Sequence, residues 1–511
     1  MTTAVTHLWR LLKWGRTLAR HGALQGIERD PLTPPNVRRL CRVARFGMTM
    51  PQVPDYAAAL QEIGPAAIKL GQALSTRPDL VGEAAAANLL QLQDDLPPEP
   101  FPAIKAAIER ALEAPLTALF SEFDEEAVGA ASIAQVHRAV TTEGREVAVK
   151  VLRPGIEEEL ARAIETYEWA AAHVELLGGE AERLRPRLVI AHFKQWTRRE
   201  LDLQREAASA SELRDNMVAE PGFHVPEIDW TRTARRVLTL EWLDGIKLSK
   251  RDELIAAGHD PKALATTLVR AFLRQAVVDG YFHADLHQGN LFALPDGRVA
   301  AVDFGIMGRI DRQARLWLAE ILYGLITGNY DRVAEIHFEA QYVPPHHNVA
   351  EFATALRAVG EPIRGLPVKE ISIGRMLEGL FSITRDFDMQ TQPHLLLLQK
   401  TMVMEEGVAT TLDPDINMWE AAEPFLKDWL RTELGPEAYY ADRIVDTVRA
   451  FKLIPDLIRR IDAAYPPPGG APPPPPLAEV AVIEGKGWLA PLLLSLSSAA
   501  IAAALTYWLV S

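Results

Sequence analysis

The strongest constraint on the fold is an ordered trio of short segments: VAVK at 147–150, HADLHQGN at 283–290 and VDFG at 302–305. Each sits in a run whose periodicity assigns it an element. In GREVAVKVL, Val147, Val149 and Val151 alternate onto one strand face and Lys150 points to the other. SIAQVHRAV just upstream reads as a partner strand, with TTEG as the hairpin turn and RPG (153–155) ending the pair. ARRVLTLEWLDG (234–245) is a further β-rich run. After Lys247 the pattern turns helical: DPKALATTLVRAFLRQAVVDGYF and DRQARLWLAEILYGLI both carry a 3.6-residue period. A small strand-rich lobe followed by a larger helical one is an α+β arrangement.

YFHADLHQGNLF (281–292) admits three chemistries. As a zinc site, His283 and His287 would need a helical turn to face one ion, but Gly289 and the strand-like NLFAL describe a loop entering a strand, and no third ligand is near in sequence. As a core turn, its polar residues would be incidental. As a phosphoryl-transfer loop it must match H-x-D-x-x-x-x-N: Asp285 to orient the nucleophile and Asn290 for Mg²⁺. A D-F-G must then follow across a short hairpin, and Asp303-Phe304-Gly305 does so behind a PDG turn at 295–297. Lys150 is the strand lysine for ATP phosphates, and Glu206, in RRELDLQREAASA, its best helical partner. Each match alone is weak; in this order, on these element types, they reinforce one another. The histidines then become scaffold that pins backbone carbonyls.

Two departures argue against routine protein phosphorylation. A glycine-rich loop should precede Lys150, yet the chain has AVGAASIAQVH, where methyls at Ala130 and Ala131 hold the backbone off the phosphates. No A-P-E follows Gly305, and a helix begins within a few residues, leaving no segment on which a peptide could lie.

The chain ends add a membrane question. Residues 1–50 carry nine Lys/Arg against two acids, although the whole chain is −14, a balance against nucleic-acid binding. Leu8, Leu11, Leu12, Leu18 and Ala19 share a helical face there, with Trp9 and Trp14 at its flanks, which suits either an anionic membrane surface or docking on the protein itself. Residues 466–476 (PPPGGAPPPPP) form a polyproline II spacer. WLAPLLLSLSSAAIAAALTYWLV (488–510) lacks any charge and at 1.5 Å per residue reaches roughly 35 Å, enough to cross a bilayer. Lys486, Arg459 and Arg460 before it orient the body to the cytoplasm. The single cysteine, Cys41, excludes an internal disulfide and, in the basic run RRLCRVARF, is not read as a nucleophile.

The departures coincide with a family pattern. KLGQALSTRPDLV (69–81), LQDDLPP (92–98), AASIAQVHRA, VAVKVLRPGIE, ELDLQREA, FHADLHQGN and VDFGIMGR resemble the UbiB family of atypical kinase-like proteins of ubiquinone biosynthesis. Gly129 stands where many relatives have Ala, and Leu286 and Gln288 replace two prolines of the usual loop. The resemblance implies an atypical protein-kinase-like two-lobed fold with an N-terminal helical extension and a C-terminal transmembrane helix. It divides the chain into a basic arm (1–60), a K-x-G-Q extension (61–120), an N-lobe (121–245), a helical C-lobe (246–465), a linker (466–487) and an anchor (488–510).

It further implies ATP and Mg²⁺ as cofactors, with Lys150, Glu206 and Asp285 catalytic, Asn290 and Asp303 on the metal, and Ala130, Ala131, Ser132, Lys150 and Glu241 around the nucleotide. Lys69, Gly71 and Gln72 would fold over the cleft, with Lys69 meeting the acids Glu200 and Asp202. The implied partners are anionic membrane lipids, prenylated ubiquinone precursors and ubiquinone-biosynthesis enzymes, at the bacterial inner membrane. Three functions compete: an ATPase giving access to lipid precursors, a protein kinase regulating the biosynthetic enzymes, and a non-catalytic nucleotide-sensing scaffold. Small-molecule phosphotransferases share the loop, but the K-x-G-Q helix disfavours them.

Overall fold

The computed structural model describes residues 2–433 apart from 30–34, 49–50, 52, 76–84, 86–87, 90–91, 93–95, 176–184, 363–382, 384–385, 390–392 and 417. The linker at 466–487 and the proposed membrane span at 488–510 lie outside the described residues, as do Thr76–Val81 of the K-x-G-Q stretch. Among the described residues no helix is long and apolar enough to cross a membrane. The chain forms two compact units; the described residues of the first run to Glu212 and include Pro226–Trp242, and the second takes Leu213–Val225 and the chain from Leu243.

In the first unit an antiparallel sheet is ordered β1-β3-β4-β6, with β2 paired to β3: Phe120–Phe123 (β1), Gly129–Ala130 (β2), Ala134–Thr141 (β3), Glu146–Leu152 (β4) and Val237–Glu241 (β6). The expected hairpin is β3–β4, and Gly144 supplies its left-handed turn at φ 85°. Val147, Val149 and Val151 are buried on one face, against Ile104 and Ile108 of helix Phe101–Leu112. At roughly 25 cal/mol per Å², burying each of these side chains contributes on the order of 2 kcal/mol. That is why the strand register, and so the side on which Lys150 emerges, is fixed.

Helix Thr2–Arg20 answers one of the open readings of the basic arm. Leu11, Leu18 and Ala19 are buried, and Leu11 packs with Ala170 of helix Ile156–Glu175. His7 Nδ1 lies 2.9 Å from Thr166 Oγ1, and Arg10 donates to the Arg162 carbonyl at 2.8 Å. The apolar face is therefore docked on the protein, while Val5 and Trp9 stay exposed beside Lys13 and Arg16. Cys41 is buried in the same helical layer, and burial lifts its thiol to about 11, which keeps it protonated and inert.

The second unit has a sheet ordered β5-β10-β9-β7 and a two-stranded pair β8–β11: Phe223–His224 (β5), Ile246–Lys247 (β7), Tyr281–His283 (β8), Leu291–Ala293 (β9), Val299–Ala301 (β10) and Met307–Arg309 (β11). β5 joins this unit because it pairs in parallel with β10, which a linear boundary at 245 does not anticipate. The expected helices form at Pro261–Leu273, capped by Asp260, and Arg312–Thr327, capped by Asp311. The first widens into a π-helical turn, Arg274–Asp279, which ends at Gly280 with φ 62°. A Cβ there would come within 2.4 Å of the Ile310 carbonyl oxygen, so only glycine fits.

Candidate active site

Each unit carries a separate set of the expected residues. In the first, Lys150 lies mid-strand in β4, registered between Val136 and Leu238. Its ammonium donates to both carboxylate oxygens of Glu206, at 2.8 and 3.0 Å, with side-chain exposures of only 14% and 8%. Glu206 sits in the first turn of helix Leu203–Asn216, where the helix dipole favours its charge. A bidentate, nearly water-free pair of this kind holds the lysine in one rotamer.

The K-x-G-Q helix, Pro65–Ser75, buries Lys69, whose ammonium reaches Glu200 at 3.4 Å and lies 5.8 Å from the ring centre of Trp196. Glu200 is thus the acid on Lys69, while Asp202 has an ion pair with Arg205 at 3.9 Å and a buried Oδ1 without a hydrogen-bond donor among the described residues. At Gly71 the helix packs closely: a Cβ there would press on the terminal methyls of Leu92 and Leu60, which would have to shift. Gln72 is half-buried one position further along the same helix.

The alanine loop is a tight β2–β3 connection in which Ala131 N donates to Ala134 O at 2.8 Å. Its outer side is fixed by Arg153, a residue the sequence reading took only as the end of a strand. Arg153 Nε donates to Ala131 O at 2.8 Å, and its Nη1 donates to Pro97 O at 2.9 Å and Glu99 Oε1 at 3.2 Å. The Ser132 hydroxyl is buried with no hydrogen-bond partner among the described residues. Glu241 ends β6 and accepts the Glu227 amide on Oε2 at 3.1 Å, so its carboxylate is engaged with backbone.

In the second unit the loop between β8 and β9 carries Asp285 and Asn290, and the loop between β10 and β11 carries Asp303. The β9–β10 hairpin that joins them is the one expected, turning at Gly297 with φ 87°. His283 ties the two loops together: its Nδ1 accepts the Asp285 amide at 3.1 Å and its Nε2 donates to the carbonyl of Val302 at 3.2 Å. Complete burial lowers its pKa, which keeps the imidazole neutral and able to play both parts. His283 N donates to Gln275 Oε1 at 3.0 Å, so the π-helical turn also buttresses the loop. His287 Nδ1 accepts the Gly289 amide at 3.1 Å. Both histidines are therefore scaffold, and they do not share the helical turn that the zinc reading needed.

Asn290 Nδ2 donates to Asp285 O at 3.2 Å, which leaves its Oδ1 available as a hard ligand. Asp303 holds a left-handed backbone, φ 63°, a conformation costing on the order of 1–3 kcal/mol that clusters at functional sites. Phe304 is buried against the His283 ring, 5.5 Å between centres. After Gly305 only β11 intervenes before helix Arg312–Thr327, so the peptide-binding segment of ordinary kinases is missing here.

Lys400, on helix Pro393–Leu412, lies 3.4 Å from Asp285 Oδ1. Nothing in HLLLLQK distinguished it from a solvated lysine at the end of an apolar helical turn. Taken unit by unit, the side chains fit the implied groups: in the second, Asn290 and Asp303 offer the oxygen ligands that Mg²⁺ requires, and in the first, Lys150 offers a fixed cation suited to phosphate and Ser132 a hydroxyl with no hydrogen-bond partner among the described residues.

Residues 91–337 match the ABC1 atypical kinase-like domain, and residues 356–417 match the UbiB helical domain. A Marinobacter nauticus protein named probable protein kinase UbiB is 42% identical over 382 residues, 74% of this chain and 70% of its own length. Among solved structures, Rv3197 from Mycobacterium tuberculosis, described in complex with erythromycin, is similar at a TM-score of 0.50 and 26% identity, over 71% of this chain and 93% of that one.

Proposed function

The chain belongs to the UbiB family of atypical kinase-like proteins, and from that premise we propose that it is a membrane-associated ATPase serving ubiquinone biosynthesis. The observation that carries this reading is a complete set of phosphoryl-transfer side chains combined with a missing peptide platform: helix Arg312–Thr327 begins seven residues after Gly305. Mg²⁺ would be held by Asn290 and Asp303, where it supplies charge neutralisation between the phosphates. Lys150, fixed by Glu206, binds the phosphate oxygens, and Asp285 orients an attacking water whose position depends on the His283 bridge.

Under this proposal, turnover gives biosynthetic enzymes access to prenylated precursors in the bilayer. The span at 488–510 anchors the body on the cytoplasmic side of the bacterial inner membrane, and Val5, Trp9, Lys13 and Arg16 meet anionic headgroups. Purified protein should hydrolyse ATP with Mg²⁺, faster on anionic than on neutral liposomes, and Asp303→Asn should reduce turnover by at least two orders of magnitude. An Asp303→Asn variant with wild-type turnover refutes the site.

The intact Asp285–Asn290 pair also supports a second reading, in which the acceptor is a partner protein. Labelled phosphate on a biosynthetic enzyme, lost in Asp285→Asn, would favour it over water as the acceptor.

A further inference from the structure

In the second unit, away from the loops just described in sequence, V-P-P-H-H-N (343–348) leads into helix Val349–Gly360. Two prolines restrict the loop, His347 N donates to Pro344 O at 3.2 Å, and Asn348 caps the helix by accepting the Ala350 amide at 2.8 Å. Adjacent imidazoles are thereby held with their ring centres 4.1 Å apart. Asp388 faces them from a left-handed backbone, φ 49°, an uncommon state for any residue with a side chain.

The distances are informative. Nε2 of His347 and Nε2 of His346 lie 3.2 and 3.4 Å from the same carboxylate oxygen, Asp388 Oδ2. The three donor atoms all lie within 4.8 Å of one another. The His347 contact is within hydrogen-bond reach and the His346 contact is longer. Donors around a tetrahedral zinc, with bonds of about 2.0–2.1 Å, are separated by about 3.3 Å. Two rings converging on one oxygen at that spacing need only a small adjustment to surround a shared ion.

The cluster is preorganised from beneath. The His347 ring packs on Phe387, 5.3 Å between centres, and Phe387 meets Phe352 edge-on at 4.9 Å. Phe352 is fully buried with Tyr330, Val333 and Val343. Phe387 and Met389, on either side of Asp388, both pack on this core, while His346 remains largely exposed.

We propose that His346, His347 and Asp388 form a binding site for a divalent transition metal of the zinc class, with its remaining coordination position open to solvent. Two imidazoles and one carboxylate suit such a borderline ion and disfavour Mg²⁺, so this site is chemically separate from Asn290 and Asp303. The bound ion would clasp the 343–348 loop to a segment 41 residues further along the chain. The site does not depend on the ATPase reading.

The test uses the full chain, stripped with a chelator and titrated with Zn²⁺ against a chromophoric indicator, without Mg²⁺ or ATP. Wild type and Asp303→Asn should each take up one equivalent, whereas His346→Ala and Asp388→Asn should weaken uptake at least about tenfold. Co²⁺ in place of Zn²⁺ should give the intense visible bands of tetrahedral coordination in wild type and Asp303→Asn, but not in His346→Ala or Asp388→Asn. His346 is exposed and Asn tolerates the left-handed backbone of Asp388, so both variants keep the fold, checked by unchanged melting in chelator. Absence of uptake by wild type, unchanged uptake in His346→Ala, or loss of uptake in Asp303→Asn would each overturn the proposal.

Discussion

Replacing Lys69 by Met keeps the aliphatic stem and removes one charge of a buried pair. Lys69 and Glu200 expose only 9% and 8% of their side chains, so the carboxylate left behind cannot recover its hydration. Breaking such a pair from one side costs about 3–5 kcal/mol. The 3.4 Å separation exceeds the optimum for a charged hydrogen bond, which places the expectation near the lower end, about 3 kcal/mol. The Trp196 ring, at 5.8 Å, lies at the limit of cation–π contact and adds less than about 1 kcal/mol. For a unit of this size about 3 kcal/mol lowers Tm by roughly 6–12 °C. The chain has two units, so calorimetry must follow the transition that moves in Lys69→Met and stays put in Lys400→Met. Adding Glu200→Gln should restore most of the loss, because the stranded charge is gone. A Lys69→Met melt within about 1 °C of wild type, or a double variant as unstable as the single, refutes the buried-pair argument.

Other expectations follow from single groups. Lys400→Met should cut ATP turnover at least tenfold with little change in nucleotide affinity, since Lys400 touches Asp285; equal losses in both would make its role structural. Glu405 is fully buried, neither carboxylate oxygen has a hydrogen-bond partner among the described residues, and burial raises its pKa well above the usual value. A raised acid binds more protons folded than unfolded, so its destabilising effect grows as pH rises through and above 4.5. Glu405→Met should accordingly stabilise the chain by about 1–3 kcal/mol at pH 8 and by less at pH 5, measured by denaturant titration. His337 has the opposite sign: burial lowers its pKa, so the unfolded chain binds the extra proton below pH 6.5 and stability falls there. His337→Phe should flatten the stability profile between about pH 6.5 and 5.

What was legible in the sequence was whatever has a local period or a fixed spacing. The β3–β4 hairpin, the face that carries Lys150, the β9–β10 hairpin and the absence of a peptide platform all follow from residues within about ten positions of one another. Glu206 was found because a helix-borne acid was demanded by the chemistry of Lys150, and the pair forms. Illegible were contacts that join distant segments without any local signal. Arg153 looks like a turn residue until its guanidinium is seen fixing the carbonyls of Ala131 and Pro97. Lys400 reaches Asp285 across 115 residues, and Phe223–His224 leaves its sequence neighbours to pair with β10. The basic arm was ambiguous for a related reason: one amphipathic pattern suits a bilayer and a protein surface equally, and the packing of Leu11 on Ala170 with the His7 and Arg10 contacts decides for the protein.

Lys69 and Lys150 are joined through neighbouring helices. Glu200 ends helix Pro186–Glu200 and Glu206 opens helix Leu203–Asn216, with Leu201 and Asp202 between them. That joint is stiff: Leu201 N donates to Thr197 O, Asp202 N to Arg199 O, and Leu203 N to Arg235 O at 2.9 Å. A shift of the K-x-G-Q helix that drags Glu200 is therefore expected to reach Glu206 and its pair with Lys150. An ordinary kinase would need a separate device to loosen its phosphate-binding lysine; here the K-x-G-Q helix is linked through Glu200 to the helix that carries its partner Glu206. Glu200→Gln, which releases Lys69 without touching Lys150 or Glu206, should then alter the apparent affinity for ATP severalfold. If it leaves that affinity unchanged while lowering stability, the joint transmits nothing and the Lys69–Glu200 pair serves the fold alone.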